Sequence, residues 1–394
     1  MINMLKPDLI NEKTFNDWAT NRVIPYLRLI TEGASRLDVV NDVYKQDSLK
    51  SHVRDTRGIG TKIAKISKST QLPKDWKSFL RNDSNKTLLI SYLADEVMTQ
   101  MKEEGKIILF STGDQIRSVP ASRDNSALQP CNHEEADSRI FLHIADAAET
   151  GNSSFMIRTN DTDVVVLAVS YASKKNLAIY LSFGTSSNSH RYIDARDIAE
   201  KLGPEKCRAL LLFHSLTGCD NTSFFWKKGK KSCWAAWGLH PELTPVLANL
   251  TETLSNPCDN DFQVLERFVC LLYDKNTELS EVNPARQQLF SKIRQVENIP
   301  PTQNALKYHM MRSLLQARIW SQMDCKEIQM LDPAQYGWKM EEIWKPYWTD
   351  LPPIGQSRKF QKCSCKDCHV GRCGCRKENL SCYPGCKCEG RCQP

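Results

Sequence analysis

Nine cysteines within thirty residues near the end of this chain constrain its fold more than any other feature. They stand at Cys363, Cys365, Cys368, Cys373, Cys375, Cys382, Cys386, Cys388 and Cys392, whereas the rest of the 394 residues holds only seven. Few apolar side chains lie between them, so this segment has too little apolar surface to bury a core. Metal binding would therefore supply most of its folding free energy, and we predict a metal-binding module over residues 360–394.

The number of thiols in this block favours a cluster of three zinc ions. Zinc takes four ligands in a tetrahedron, and thiolate is a preferred donor. Two separate four-cysteine sites would leave one sulfur over, whereas nine sulfurs satisfy three zincs if three of them each bridge two metals. The alternatives are a metallothionein-like metal store or a redox-active tail. The remaining cysteines show no ligand spacing and are predicted to be ordinary buried thiols: Cys131, Cys207, Cys219, Cys233, Cys258, Cys270 and Cys325.

The order of the nine cysteines, C-x-C…C-x-C…C-x-C, resembles the tesmin-type CXC domain. The resemblance implies a small DNA-binding module whose basic and tyrosine side chains contact phosphates or enter a groove. The basic residues available for this are Lys366, Arg372, Arg376, Lys377, Lys387 and Arg391. Two positions depart from the family: Arg372 stands before the fourth cysteine, where tyrosine is frequent, and Tyr383 follows Cys382 instead of preceding it. The zinc scaffold carries over, whereas the DNA sequence preference does not.

Charge and hydropathy narrow the remaining classes of function. The net charge of +7 permits an anionic partner. Thiolate and zinc charges together leave the cysteine module only weakly positive, which predicts salt-sensitive contact with DNA. The first 25 residues contain no signal-peptide core, and the longest apolar runs are too short to span a bilayer. We therefore expect an intracellular protein without a membrane partner, and the DNA-binding resemblance implies the nucleus.

Ahead of the cysteine block, strand-like and helix-like patterns alternate along the chain. Strand-like apolar runs occupy 106–111, 155–160 and 177–184, and the periodicity over 134–149 indicates a helix. Strands that alternate with helices favour a parallel sheet covered by helices on both faces. We predict an α/β domain over residues 1–238.

The next region shows a helical pattern. Apolar residues recur at steps of three and four in 262–274 and 304–320, which indicates a helical region over residues 239–348. The aromatic-rich segment YGWKMEEIWKPYW within it is interpreted as a helix packed against a neighbour. Residues 349–359, with two prolines and a glycine, are predicted to form a linker to the cysteine module.

Six carboxylates stand at the ends of predicted elements. They are Asp42, Glu135, Asp137, Asp161, Asp163 and Asp220. In open α/β sheets the functional crevice lies beyond the carboxyl ends of the strands. Carboxylates that converge there repel one another unless cations lie among them, and hard oxygen ligands select Mg²⁺ or Mn²⁺. Taken singly, each acid also fits a helix-dipole, cap or turn role.

The order of these acids, over about residues 39–237, resembles the flap-endonuclease/XPG branch of the PIN-like nucleases. The matching motifs are Glu135-Ala136-Asp137, Asp161-Thr162-Asp163 and Leu216-Thr217-Gly218-Cys219-Asp220, with Asp42 as the acid that ends the second strand. The resemblance implies that the six acids are catalytic and hold two metals roughly 3.5–4 Å apart, which activate a water and stabilise the leaving oxygen in phosphodiester hydrolysis. The nearby His214 is interpreted as a structural histidine.

Two basic stretches correspond to DNA-contacting parts of the PIN-like nucleases, and the amino-terminal region departs from that family. Lys50, Arg54 and Arg57 fall on one helical face, where the family grips substrate phosphates, although a solvated face is the alternative. A second phosphate patch is expected at Lys227, Lys228, Lys230 and Lys231. The family takes a further aspartate from its first strand, but residues 1–30 show no strand that ends in an acid. We therefore expect the chain to begin just after that strand.

These observations predict a metal-dependent DNA nuclease with a zinc-cluster DNA-binding tail. The competing hypothesis is a catalytically inactive DNA- or chromatin-binding protein that keeps the nuclease fold, which the missing first-strand acid favours. A purely structural zinc protein is the third hypothesis, and it leaves the six acids unexplained.

Overall fold

The computed structural model describes residues 5–45, 48–50, 60–184, 190–253, 255–293, 295–351, 363–364, 373–377, 382 and 386–388. The chain divides into two compact units, Met1–Trp348 and Thr349–Pro394. The first unit is a mixed α/β structure in which small mixed sheets are flanked by helices. None of the described helices is both long and apolar enough to cross a membrane.

The strands of the first unit form two three-stranded mixed sheets and one hairpin. In the first sheet, β1 (Arg36–Val39) is parallel to β2 (Ile107–Thr112), which pairs antiparallel with β3 (Gln115–Val119). In the second sheet, β4 (Ser154–Thr159) is parallel to β5 (Ala178–Phe183), which pairs antiparallel with β6 (Arg191–Asp194). The hairpin consists of β7 (Trp338–Met340) and β8 (Trp344–Pro346). The predicted runs at 106–111, 155–160 and 177–184 are confirmed as strands, but in the described residues each sheet carries an antiparallel strand.

Helices make up most of the remaining described chain. The amino-terminal ones are α1 (Phe15–Trp18), a π-helical turn (Ala19–Val23), α2 (Ile24–Ile30), α3 (Trp76–Leu80) and α4 (Asp83–Gln100). Those around the second sheet are α5 (Ala136–Glu149), α6 (Thr162–Lys175), α7 (Ala195–Leu202) and α8 (Pro204–Leu216). The later ones are α9 (Lys230–Gly238), α10 (Leu243–Glu252), α11 (Asp259–Tyr273), α12 (Val282–Ile293) and α13 (Gln303–Ser321), with 3₁₀ turns at Val296–Asn298 and Pro333–Tyr336. The second unit contains α14 (Gly374–Lys377).

The β4–α6–β5 crossover shows how local sequence places an acid at a strand end. Alternate residues of β4, including Phe155 and Ile157, are buried, as expected for a strand with one face on the core. The chain then turns at Asp161, whose carboxylate accepts a hydrogen bond from the backbone N–H of Asp163 and so caps α6. Helix α6 ends at Asn176 in the left-handed conformation (φ 53°). The carboxyl end of β4 therefore leads directly into two aspartates.

The region 239–348 shares a hydrophobic core with the second sheet. Leu247, Phe268 and Leu314 belong to the same buried cluster as Ile179 and Leu211. The interpretation of the aromatic-rich segment as a helix is wrong, because it forms the β7–β8 hairpin. The chain enters this hairpin through Gly337, whose left-handed conformation (φ 75°) ends the preceding 3₁₀ turn.

The seven scattered cysteines follow their prediction only in part. Four of them are buried, as predicted: Cys131, Cys207, Cys233 and Cys270. Cys219 is half-buried, and the prediction is wrong for Cys258 and Cys325, which are exposed. Cys258 directly precedes α11, and Cys325 lies in the segment that follows α13. Such connecting segments run over the surface, so their side chains can be exposed irrespective of hydrophobicity.

A buried charge network joins β1 to α5. Arg36 pairs with Asp38 (Nε–Oδ2 2.8 Å) and with Asp146 of α5 (Nη1–Oδ2 2.7 Å). His143 contacts Asp38 (Nδ1–Oδ1 2.7 Å), and Arg123 adds a second cation to Asp146 (2.6 Å). Burial alone would raise the pKa of Asp38, but the hydrogen bonds and charges of His143 and Arg36 outweigh it and lower that pKa. The network fixes α5, which carries Glu135 and Asp137 at its start, against the first sheet.

Loss of this network should be costly. We expect Arg36→Met to lower the free energy of unfolding by about 3–5 kcal/mol, because it leaves the buried carboxylates of Asp38 and Asp146 without their shared cation. The matched control is Arg28→Met, which breaks the exposed pair with Glu104 and should cost at most about 1 kcal/mol. Urea unfolding followed by tryptophan fluorescence measures both, and equal effects of the two substitutions would contradict the prediction.

Candidate metal centres

Three aspartates from two helix starts come together at the carboxyl end of β4. Ligand oxygens of Asp137, Asp161 and Asp163 all lie within 4.8 Å of one another. Asp137 stands in the first turn of α5, and the other two stand at the cap and first turn of α6. The sequence predicted Asp137 in the first turn of a helix and Asp161 and Asp163 just past a strand, and the structure has them there. We call these three residues the aspartate triad.

The other three predicted acids lie around the triad. The Asp42 Oδ1 accepts a hydrogen bond from the backbone N–H of Ala136 at 2.8 Å, which ties the segment after β1 to the start of α5. Glu135 forms an ion pair with Lys50, and the same ammonium lies 3.7 Å from Asp220 Oδ2. The structure therefore brings all six acids into one neighbourhood, with a buried Asp163 at its base and exposed Asp42 and Asp220 at its rim.

Burial, together with mutual repulsion within this neighbourhood, raises the pKa values of two of the acids. Burial, followed by the charges of Asp161, Asp42 and Asp163, raises the pKa of Asp137 to about 8, although Lys50 lowers it. Burial and the charges of Asp163 and Asp220 also raise the pKa of Asp161. Carboxylates held together against their own repulsion gain from a cation placed among them. The all-oxygen donor set therefore fits a hard divalent ion such as Mg²⁺ or Mn²⁺.

This raised pKa predicts that the protein loses stability as the pH rises. The pKa of about 8 keeps a proton on Asp137 in the folded state up to about pH 8, whereas the unfolded state releases it near the ordinary aspartate pKa of 3.8. Because the folded state binds more protons between these values, its stability falls across that window. Without added Mg²⁺ or Mn²⁺, we expect the free energy of unfolding to drop by about 2–3 kcal/mol more between pH 5.5 and 8 than in Asp137→Asn.

Tryptophan fluorescence measures this difference selectively. All nine tryptophans precede residue 349, so the signal comes from the first unit alone. Urea unfolding of the zinc-loaded chain at the two pH values, with and without the substitution, gives the comparison. Identical pH dependence in the two proteins would show that Asp137 ionises normally.

Three polar residues near the acids were missed or given a lesser role by sequence reasoning. His214 of α8 contacts the triad directly (Nε2 to Asp163 Oδ1, 2.9 Å), in a buried position that fits its predicted structural role. The side-chain amide of Asn221 donates to Gln316 of α13 at 2.6 Å and reaches Glu135 at 3.4 Å. Asn221 could have been singled out because it directly follows Asp220. Gln316 lies in the middle of α13, and nothing in the sequence around it indicates a site.

The backbone at position 218, two residues before Asp220, requires a glycine. Its φ is +108°, and a Cβ at this position would lie 2.7 Å from the Cβ of Phe224. Only glycine permits both this conformation and this contact. The residue therefore sets the path of the segment that carries Asp220 away from the end of α8.

The predicted lysine patch lies along this same segment. Lys227 and Lys228 line an open cavity of about 450 Å³ beside Gly218, and the Lys228 ammonium lies 4.9 Å from the centroid of the Tyr273 ring. Lys231 is exposed. Lys230 differs from the others, because its ammonium donates hydrogen bonds to three acceptors at the end of α8. It caps that helix, which leaves the exposed Lys227 and Lys231 and the half-buried Lys228 as the other cations of the patch.

The second unit contains a cluster of thiols. Ligand sulfurs of Cys363, Cys375, Cys382 and Cys386 all lie within 4.8 Å of one another. The Sγ–Sγ distances include 3.6 Å for Cys363–Cys382 and for Cys375–Cys386. These separations are far longer than a disulfide bond, and thiolates on one tetrahedral zinc lie about 3.8 Å apart. The donor set therefore fits a metal ion.

Two further cysteines lie near this group. Cys373 Sγ is 3.7 Å from Cys382 Sγ, and both Cys373 and Cys388 are buried. The backbone holds the segments together through Lys387 N–H to Cys363 O at 3.1 Å. Arg376, Lys377 and Lys387 are exposed around the thiols.

Some predicted site residues lie outside the described residues. These are Cys365, Cys368, Cys392, Arg54, Arg57, Lys366, Arg372 and Arg391. Comparison of the chain with known protein families, with curated proteins and with solved structures gave no match. The function of the chain is therefore inferred from the two candidate metal centres.

Proposed function

We propose that this chain is a metal-dependent DNA nuclease of PIN-like type that hydrolyses phosphodiester bonds and carries a zinc-cluster DNA-binding tail. The observation that carries the proposal is the aspartate triad, whose oxygens converge within 4.8 Å although Asp137 is distant in sequence from the other two. When bound there, Mg²⁺ or Mn²⁺ supplies an activated water and neutralises charge on the leaving oxygen.

The chain's own residues set the geometry for such ions. Asp161 and Asp163 are held by the start of α6, and Asp137 by the start of α5. His214 orients Asp163 from the buried side through its 2.9 Å contact. Asp42, Glu135 and Asp220 lie around the triad and add further carboxylate donors. This set has the donors required for two cations, as the resemblance to PIN-like nucleases implies.

DNA as the substrate is supported by cations on both units. In the first unit, Lys227, Lys228 and Lys231 lie on the segment that follows Asp220, together with the exposed rings of Phe224 and Trp226. Ammonium groups neutralise phosphates, and exposed rings can stack on unpaired bases. In the second unit, Arg376, Lys377 and Lys387 are exposed and lie close in sequence to the clustered cysteines. A nuclear location follows from this proposal.

The second candidate function is a catalytically inactive DNA- or chromatin-binding protein. The observation that favours it is the amino-terminal region, where described residues 5–35 form helices and turns but no strand. No acid from a strand before β1 joins the six in the described part of the chain. Such a protein would keep the charged surfaces and lack turnover.

Cleavage assays separate the two candidates. The zinc-loaded full chain is incubated with branched and hairpin DNA in Mn²⁺, and products are resolved on denaturing gels. The nuclease proposal expects cleavage that depends on the added cation. Intact DNA that is nevertheless retarded on native gels supports the binding protein, and absence of both effects contradicts both candidates.

A further inference from the structure

The protein places a positively charged side chain of its own, Lys50, among the six acids. The Lys50 ammonium pairs with Glu135 and lies 3.7 Å from Asp220 Oδ2. Its side chain is only 22% exposed, which distinguishes it from a surface lysine that moves freely in solvent. The charge of Lys50 also acts on Asp137 and Asp161. It favours their ionised forms and so lowers their pKa values, although burial has the larger, opposite effect.

The ammonium divides the acidic neighbourhood into two parts. On one side, Glu135 and Asp220 share the positive charge of Lys50. On the other side, no lysine or arginine forms an ion pair with the aspartate triad in the described part of the chain, where Asp163 contacts His214 instead. The triad therefore has no paired lysine or arginine in the described part of the chain, whereas the Lys50 ammonium offsets one of the two negative charges on the Glu135–Asp220 side.

We propose that Lys50 is a built-in counter-cation that replaces the second divalent ion at the Glu135–Asp220 side, so that the free protein binds one divalent cation, at the aspartate triad. The inference rests on the proposed function for the identity of the acidic neighbourhood as a metal site. It adds that a second ion binds there only when Lys50 withdraws. Departure of the ammonium removes one positive charge and frees two carboxylates, which are the donors that a hard divalent ion requires.

The test counts Mn²⁺ ions bound to the zinc-loaded full chain without DNA, using the electron paramagnetic resonance signal of free Mn²⁺. We expect one tight site in the wild type. Lys50→Met removes the charge but keeps a long side chain, and should add a second site or tighten Mn²⁺ binding at least about tenfold. Lys50→Arg keeps the charge and should behave like the wild type. Lys50→Gln repeats the neutral substitution if the methionine variant is unstable.

The matched control is Lys174→Met, which removes a lysine paired with Asp324 (Nζ–Oδ1 3.0 Å) and should leave Mn²⁺ binding unchanged. Two equal Mn²⁺ sites in the wild type would overturn the proposal, as would identical binding in the wild type and both neutral variants. A wild type that binds one Mn²⁺ and responds to Lys50→Met, yet cleaves no DNA, upholds the inference while the nuclease function fails. Absence of Mn²⁺ binding in every variant removes both.

Discussion

Asp161→Asn is expected to lower DNA cleavage by at least about 10³-fold while the first unit stays folded. The substitution removes one of three carboxylates whose oxygens lie within 4.8 Å of one another, and the site loses affinity for a divalent cation. Asp161 also caps α6, accepting a hydrogen bond from the Asp163 N–H at 2.8 Å. Asparagine caps helices about as well as aspartate, so the substitution changes the charge and keeps the helix start.

Asp194→Asn provides a control with the same chemistry at another helix. Asp194 caps α7 through hydrogen bonds from the backbone N–H groups of Arg196 and Asp197 and is not one of the six acids. Its replacement should leave cleavage within about twofold and stability within about 0.5 kcal/mol. Initial rates on hairpin DNA over a range of Mn²⁺ concentrations, with circular dichroism of each variant, give the comparison. Equal rates for Asp161→Asn and the wild type would remove the aspartate triad from the reaction.

Loss of zinc should unfold the cysteine module, which is the second large effect we expect. The buried residues of its described core are cysteines, so little apolar burial remains to stabilise it without metal. Structural zinc in small modules contributes about 10–16 kcal/mol of binding free energy. We predict about three zinc ions per chain. Because bridging thiolates tie the ions together, Cys375→Ala should reduce the content to at most about one.

Colorimetric zinc release and limited trypsin digestion measure this effect. The control is Cys325→Ala, which removes an exposed thiol of the first unit and should leave zinc content and digestion unchanged. Trypsin should cut after Arg376 and Lys377 rapidly in the alanine variant of Cys375 and slowly in the zinc-loaded wild type. Fewer than three zincs in the wild type, or loss of only one in Cys375→Ala, would contradict a bridged cluster.

Sequence reasoning located the acids because their positions depend on local rules. Asp161 follows a strand and begins a helix, and Asp220 follows a glycine at the end of another. Both arrangements are found in the structure. The strand that contains Phe155 and Ile157 was predicted for the same reason, since its apolar residues and its boundaries are visible within a few residues. Such local signals can be recognised without knowing which distant residues pack against them.

The remaining features depend on contacts between distant residues. The pairing of Lys50 with Glu135 and Asp220 joins three separate segments, and no spacing rule predicts such a pair. Lys230 shows the same limit, because a cluster of lysines suggested phosphate contacts whereas one of them caps α8. The antiparallel strands β3 and β6 were missed because they are short and half-exposed, so their hydrophobic pattern is weak.

Because the Arg36–Asp38–Asp146 network is largely buried, potassium chloride should hardly weaken it. The contacts between exposed lysines and DNA phosphates that the proposed function expects would be screened by the same salt. Raising the ionic strength should therefore weaken the exposed lysine–phosphate contacts and leave the buried ion pairs intact. If the proposed function holds, a salt titration would release bound DNA while β1 and α5 keep their separation, and with it the spacing of the carboxylates. Cation affinity measured in half-molar salt would then report the pocket itself, free of competition from any bound polymer.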